Sequence, residues 1–204
     1  LADILYDPIV DAKKVSLDPS KDLVLSSAVN FYADDVNQKE VEAFYAAMEV
    51  KGDTTPLSYG INSKVVRGKD GKLMEQTWKV GGMYGQAIEQ IVMWLEKAQG
   101  VAESPEQAKV LGLLIEFYRT GDLKKWDEFN IAWVMDKSST VDLISGFVEV
   151  YNDPLGKKGS YESCVEVIDP VATKNMRAIQ ENAQWFEDHS PLMEEHKKKE
   201  VVGI

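Results

Sequence analysis

The run Gly146-Phe147-Val148-Glu149-Val150-Tyr151-Asn152-Asp153-Pro154 limits the folds open to this chain more than any other stretch. Successive side chains of a strand point to opposite faces. The alternation therefore predicts a half-buried strand with Phe147, Glu149 and Tyr151 on one face and Val148 and Val150 on the other. A carboxylate and a phenol then share the open face. Asp153-Pro154 ends the strand, because proline donates nothing to a ladder and drives the residue before it into extended or turn backbone. Pattern alone assigns no activity here, since an antiparallel strand with one wet face carries Glu and Tyr without any function.

Ahead of that strand the sequence reads as mostly helical. Residues 1–25, with Asp7-Pro8 and Asp18-Pro19, read as irregular with one short helix. Asn37 and Glu40 form a predicted capping box, followed by Val41, Phe44, Tyr45 and Met48 on one helical face until Gly52. Asp70-Gly71, between Lys64-Val65-Val66-Arg67 and Lys72-Leu73, predicts a hairpin. Gly81-Gly82-Met83-Tyr84-Gly85 invites a phosphate-loop reading, because glycines expose N–H groups at a helix start. It lacks both the G-K-[ST] ending and the G-x-G-x-x-G spacing, which leaves a turn that opens a helix with Tyr84, Ile88, Ile91, Val92 and Leu95 on one face. Ser104, Pro105 and Gln107 start the next helix, striped by Ala108, Leu111, Ile115 and Tyr118 up to Gly121, and the two helices are predicted to lie antiparallel.

A short helix is read over 122–130 with Trp126 and Phe129 turned inward, and strands over 131–135, 141–151 and 161–168 as one antiparallel sheet. Asp169-Pro170 opens a long final helix with Met176, Ile179, Ala183 and Phe186 on one apolar side. The segment 194–200 reads as solvated. These elements make an α+β fold, mostly helical, with a small antiparallel sheet.

Composition narrows the partners. The 204 residues, 44% of them hydrophobic, suffice for a core and for one domain, or one domain and part of another. With 23 basic against 34 acidic residues the net charge is -11, which argues against nucleic acid and anionic membrane as partners. An acidic cleft favours cationic groups, peptide N-termini among them. The lone Cys164 rules out an internal disulfide framework and a Cys-rich zinc finger, and its strand context predicts a buried, inert thiol. No run approaches the roughly 20 apolar residues that span a bilayer, and Leu1-Ala2-Asp3-Ile4 does not open a signal peptide. The first residue is not Met, so a leader or a longer preceding segment is expected to have been removed. The compartment stays open, with a cytoplasmic location favoured over export.

Residues 146–163, GFVEVYNDPLGKKGSYES, resemble a segment of the dipeptidyl peptidase III family, zinc exopeptidases whose pattern is close to G-F-[IV]-E-x-Y-x-D-P-[FL]-G. Residues 59–63, 78–85, 118–122 and 182–191 are similar to the bacterial branch of that family, and the resemblance extends from about Ser26 onward. It implies that 1–169 form part of the substrate-binding lobe, the one with a β-barrel core. Residues 170–204 would be a crossover helix and tail leading to the zinc-bearing lobe. It also implies that Glu149 binds the free N-terminus of a peptide and that Tyr151 lines the same pocket.

The family's H-E-x-x-x-H and E-E-C-R-A-type helices are absent. His189 and His196 are the only histidines, and Ser190-Pro191 breaks any helix that would align them with Glu194. The expectation is therefore a front portion of a longer zinc enzyme, with no catalytic residue and no metal ligand of its own. Its partners would be peptides with a free N-terminus and the remainder of the enzyme, with zinc held only by that remainder. A non-catalytic helical binding or scaffold module is the competing reading.

Overall fold

Local capping signals start the first helix that lies wholly within the described residues. The structure, a computed structural model, describes residues 14–201, so the expectation of a short helix within 1–25 lies in part outside the described residues. Asn37 caps α1 (Gln38–Ala46) by accepting from the Glu40 N–H at 3.0 Å, and the Glu40 carboxylate accepts the Asn37 N–H at 3.2 Å. Both bonds satisfy donors that a helix start leaves orphaned. Val41 and Tyr45 bury their side chains with Val24, Tyr32, Val36 and Val65 in a small core. The expected hairpin is present as β1 (Ser63–Arg67) and β2 (Leu73–Thr77), antiparallel around Asp70-Gly71. Gly71, at φ +80, takes the left-handed backbone that this turn needs.

The larger core is built by three helices, α2 (Gly85–Gln99), α3 (Pro105–Thr120) and α4 (Leu123–Met135). Ile88, Val92 and Leu95 of α2 meet Val110, Leu111, Leu114 and Ile115 of α3, so the two predicted stripes face each other. Ser104 caps α3 by accepting the Gln107 N–H at 3.0 Å, but the reciprocal bond is displaced by one residue. Gln107 accepts from the Glu103 N–H at 2.7 Å and donates to the Val141 carbonyl at 2.8 Å, which ties the helix start to the following sheet.

The expected strand over 131–135 is instead the end of α4. β-branched and aromatic residues there favour a strand by propensity, but Ala132 and Trp133 pack on the core and carry the helix onward. Trp133 Nε1 donates to Asp142 at 2.8 Å, while Ile131, Val134 and Met135 face outward. The sheet is consequently two-stranded, β3 (Val141–Glu149) against β4 (Ser160–Val167), antiparallel from Val141↔Val167 to Phe147↔Tyr161. No closed barrel is present among the described residues. Cys164 is exposed rather than buried, because β4 has no layer over it.

The long final helix is also divided. Asn182 (φ -107, ψ 12) leaves helical geometry and separates α5 (Pro170–Glu181) from α6 (Ala183–Asp188). Neither helix contains a buried residue, and Met176, Ile179 and Phe186 stand about half exposed. A short 3-10 turn, Glu194–His196, follows.

This division predicts two levels of stability. Amides of 170–188 should exchange through openings that cost close to zero, while those of α2 and α3 should approach global protection. Leu114→Ala, at a wholly buried position, should cost about 2–5 kcal/mol, against about 0.5 kcal/mol or less for Ile179→Ala. Equal protection of α5 and α3 in a monomer would contradict this picture.

Candidate substrate-binding site

Phe147 fixes β3 in the molecule. It is buried between Trp78 (ring centroids 4.8 Å apart), Tyr118 (6.4 Å), Phe117 (6.5 Å) and Tyr161 (5.8 Å). Gly146 lets the strand come close to α4, because a Cβ there would stand 2.2 Å from the Trp126 ring. Tyr118 and Ser145 share a hydrogen bond of 2.8 Å that adds a polar tie between α3 and β3. Burial holds the Tyr118 hydroxyl protonated well above its ordinary range.

Past Phe147 the alternation read from the sequence breaks. The register shifts between Phe147 and Glu149, so Val148 and Glu149 together face Ser160, and a bulge of this kind re-aims the side chains at a strand end. Glu149 closes the strand, partly buried, and no hydrogen bond or ion pair engages its carboxylate among the described residues. Tyr151 lies beyond the strand in a turn, 69% exposed. The two residues thus sit at one end of β3, not on one face of a continuous strand, and the chain turns before Asp153-Pro154 is reached.

The turn that carries Tyr151 is held by groups with no obvious signal in the sequence. Asp153, 4% exposed, accepts the Tyr32 hydroxyl at 2.9 Å and the N–H groups of Lys157 and Lys158 at 2.8 and 3.0 Å. Lys158 is wholly buried, and its ammonium donates to the Tyr45 hydroxyl and to Ser63 Oγ. Both hydroxyls donate in turn to Glu75, at 2.7 and 2.6 Å. An ammonium and a carboxylate are therefore bridged by two hydroxyls and lie 3.8 Å apart. Loop, α1, β1 and β2 all meet at this point. In the sequence Asp153-Pro154 marks the end of the strand, but nothing local signals that Lys158 is buried.

A family profile described as peptidase family M49 matches residues 63–202. The chain belongs to peptidase family M49. This M49 chain is 28% identical over 103 residues to dipeptidyl peptidase 3 of Homo sapiens, covering 50% of its own length and 14% of that protein. Its fold is similar to that of dipeptidyl-peptidase III from Corallococcus sp. strain EGB (TM-score 0.60, 20% identity, 84% of this chain and 30% of that one). It is also similar to that of DPP III from Caldithrix abyssi (TM-score 0.62, 21% identity, 95% and 38%). The M49 chain therefore spans a minor part of each of these relatives.

The zinc implied by the family resemblance does not fit the donors described here. No group of three His, Cys, Asp or Glu side chains converges among the described residues. His189 is stacked on Trp185 with ring centroids 4.2 Å apart, and its Nδ1 lies 2.7 Å from the Trp185 carbonyl. No helix described is long and apolar enough to cross a membrane.

The buried lysine makes stability depend on pH. Burial pushes the Lys158 ammonium down to about 8, with Glu75 and Asp153 opposing the shift and Lys157 adding to it. In the unfolded chain a lysine titrates near 10.4, so between about 8 and 10 the unfolded state binds more protons and stability rises with pH. Burial also raises the hydroxyls of Tyr32 and Tyr45, which face the same network, so above about pH 10 the unfolded chain loses protons first and stability falls. Urea unfolding should show a gain on the order of 2 kcal/mol from pH 8 to 10. Lys158→Met should abolish that gain, and a variant retaining it would show that Lys158 is not its source.

Proposed function

We propose that this chain supplies the substrate-binding surface of a dipeptidyl peptidase III-type zinc exopeptidase, an enzyme that releases dipeptides from peptide N-termini. Residues 1–169 belong to the lobe that holds the peptide. Residues 170–204 lead toward a zinc-bearing lobe whose ligands lie outside this sequence. The observation that carries the reading is the Glu149 carboxylate, without a hydrogen-bond or ion-pair partner among the described residues and placed at the end of a strand whose previous inward residue is locked among aromatic rings.

An exopeptidase that counts two residues must hold the substrate ammonium at a set distance from the scissile bond. A carboxylate on a rigid strand does so with little ordering cost. Glu149 accepts from the ammonium, and the Tyr151 hydroxyl, in the adjoining turn, donates to the peptide. The Asp153 and Lys158 contacts keep that turn in place. Membership of a peptidase family supports this reading, as does the net charge of -11, which favours cationic ligands. The chain taken alone binds peptide and cleaves nothing, because its sequence carries no H-E-x-x-x-H pattern and no metal-binding group converges among the described residues. The competing reading, a binding module with no catalytic lobe at all, draws on the same donor set.

Titration of the chain with a tetrapeptide tests the proposal. A hydrogen bond to a charged group is worth about 1.5–3 kcal/mol, so Glu149→Ala should weaken binding of the free-amine peptide roughly ten- to a hundredfold. N-acetylation of the peptide should cost the native chain the same factor and the variant little. Equal penalties in the two proteins would remove Glu149 from the site. Elemental analysis should find no tightly held zinc in the purified chain, and about one zinc per chain together with dipeptide release would overturn the assignment of catalysis to a separate lobe.

A further inference from the structure

Beside β3, the start of α2 and the loop leading into β4 enclose a cavity of about 430 Å³. Ligand clefts range from about 300 to 1,000 Å³ and are mostly apolar with a few polar groups, and this cavity has that character. Trp78, Phe147 and Ile88 form its inner wall, Tyr84 and Tyr161 its outer wall, and Ser160 part of its rim. The first three are at most 5% exposed, whereas Tyr84 and Tyr161 are about half exposed, so the site has a fixed floor and an accessible mouth. Trp78 lies 6.1 Å from Tyr84 and 4.8 Å from Phe147, centroid to centroid, at tilts of 58° and 54°. Rings at these angles present both edges and faces, which is the surface another aromatic ring packs against.

Two features separate this cavity from an ordinary gap in packing. Tyr84 holds φ +61, the one positive φ at a non-glycine position among the described residues, at a helix start where its side chain makes no cap. Such backbone is unfavourable for a residue with a Cβ and persists where surrounding structure holds it. Here it presents a tyrosine ring to the cavity. Trp78, in the opposite wall, has a buried indole N–H with no acceptor among the described residues, although buried indoles usually find one.

We propose that this cavity is a subsite for the aromatic side chain of a peptide. The inference rests on the reading of the chain as a peptide-binding surface and deepens it. Ser160, on the rim, is the cross-strand partner of Glu149, so the cavity and the carboxylate lie at the same end of the sheet, beside the bulge. An extended peptide advances about 3.3 Å per residue, and a chain whose amine meets Glu149 would cross the strand end at Ser160 to lay an aromatic side chain over the cavity.

N-acetyl-phenylalaninamide tests the subsite without a free amine, so the outcome is independent of Glu149. Titration of the whole chain labelled with 5-fluorotryptophan, followed by 19F NMR, should show saturable movement of the Trp78 resonance, with a Kd of about 1 mM, while N-acetyl-glycinamide should leave it unmoved. Tyr84→Gly removes the ring and relieves the positive φ, so it should weaken binding about tenfold without lowering Tm. Ala87→Phe, at an exposed helical position on the cavity lining, should block the mouth and act likewise. Glu149→Ala should leave this titration unchanged. The proposal is overturned if the glycine amide moves the resonance equally, if no saturation appears well above about 1 mM, or if both cavity variants bind as the native chain does. A native result here with loss of the Glu149 effect on free-amine peptides would discard the amine site and keep the aromatic one.

Discussion

Burial of Phe147 is the contact on which the rest of this structure depends. Its ring touches residues from the β1–β2 hairpin region, from α3 and from β4, so the helical core and the two-stranded sheet are joined through it. A sheet of two strands is marginal by itself and needs packing against other elements. The part of β3 and β4 around Phe147 receives that packing. The far end, toward Val141 and Val167, does not, and its apolar side chains stand open. Order in the sheet is therefore greatest next to the bulge at Glu149, where a fixed carboxylate has the most use.

The polar network around Lys158 completes what the aromatic contact begins. A buried ammonium is expensive to desolvate, and its pairing with Glu75 through two hydroxyls offsets that cost without making the pair a large net source of stability. Its value lies in specificity. Tyr45, Ser63, Glu75 and Lys158 satisfy one another in one geometry, so the loop after Tyr151 has one low-energy path across α1 and the hairpin. Asp153 does the same for the backbone of that loop by accepting two N–H groups. Uncharged loops of this length commonly vary in path, whereas this one is pinned at both ends of its turn.

Against these fixed regions, α5 and α6 stand apart. Their apolar residues have the helical spacing of a packing face, yet none is buried. The chain covers 30% and 38% of the two structural relatives described above, and the proposal that 170–204 lead toward another lobe gives this face a reason to exist. Helical stability in water comes mainly from packing of such a face, so these two helices contribute little to the fold of the rest.

Patterns confined to one element were determined by the sequence itself. The Asn37 capping box, the Asp70-Gly71 hairpin, the facing stripes of α2 and α3, the α+β class and the family are legible because each is carried by neighbours a few residues apart or by a motif such as that around Glu149. Contacts between distant segments were decided only by tertiary structure. Residues 131–135 read as a strand by propensity and became helix because Ala132 and Trp133 gained core contacts there. Cys164 read as buried and is exposed, because strand pattern does not reveal whether a second layer covers the strand. The bulge that separates Glu149 from the face of Phe147, and the burial of Lys158 beside residues 95 and 113 positions away, have no local signature. Local chemistry sets which elements form and where they start. What a side chain such as Lys158 or Tyr84 can do is set by the partners that the fold brings to it.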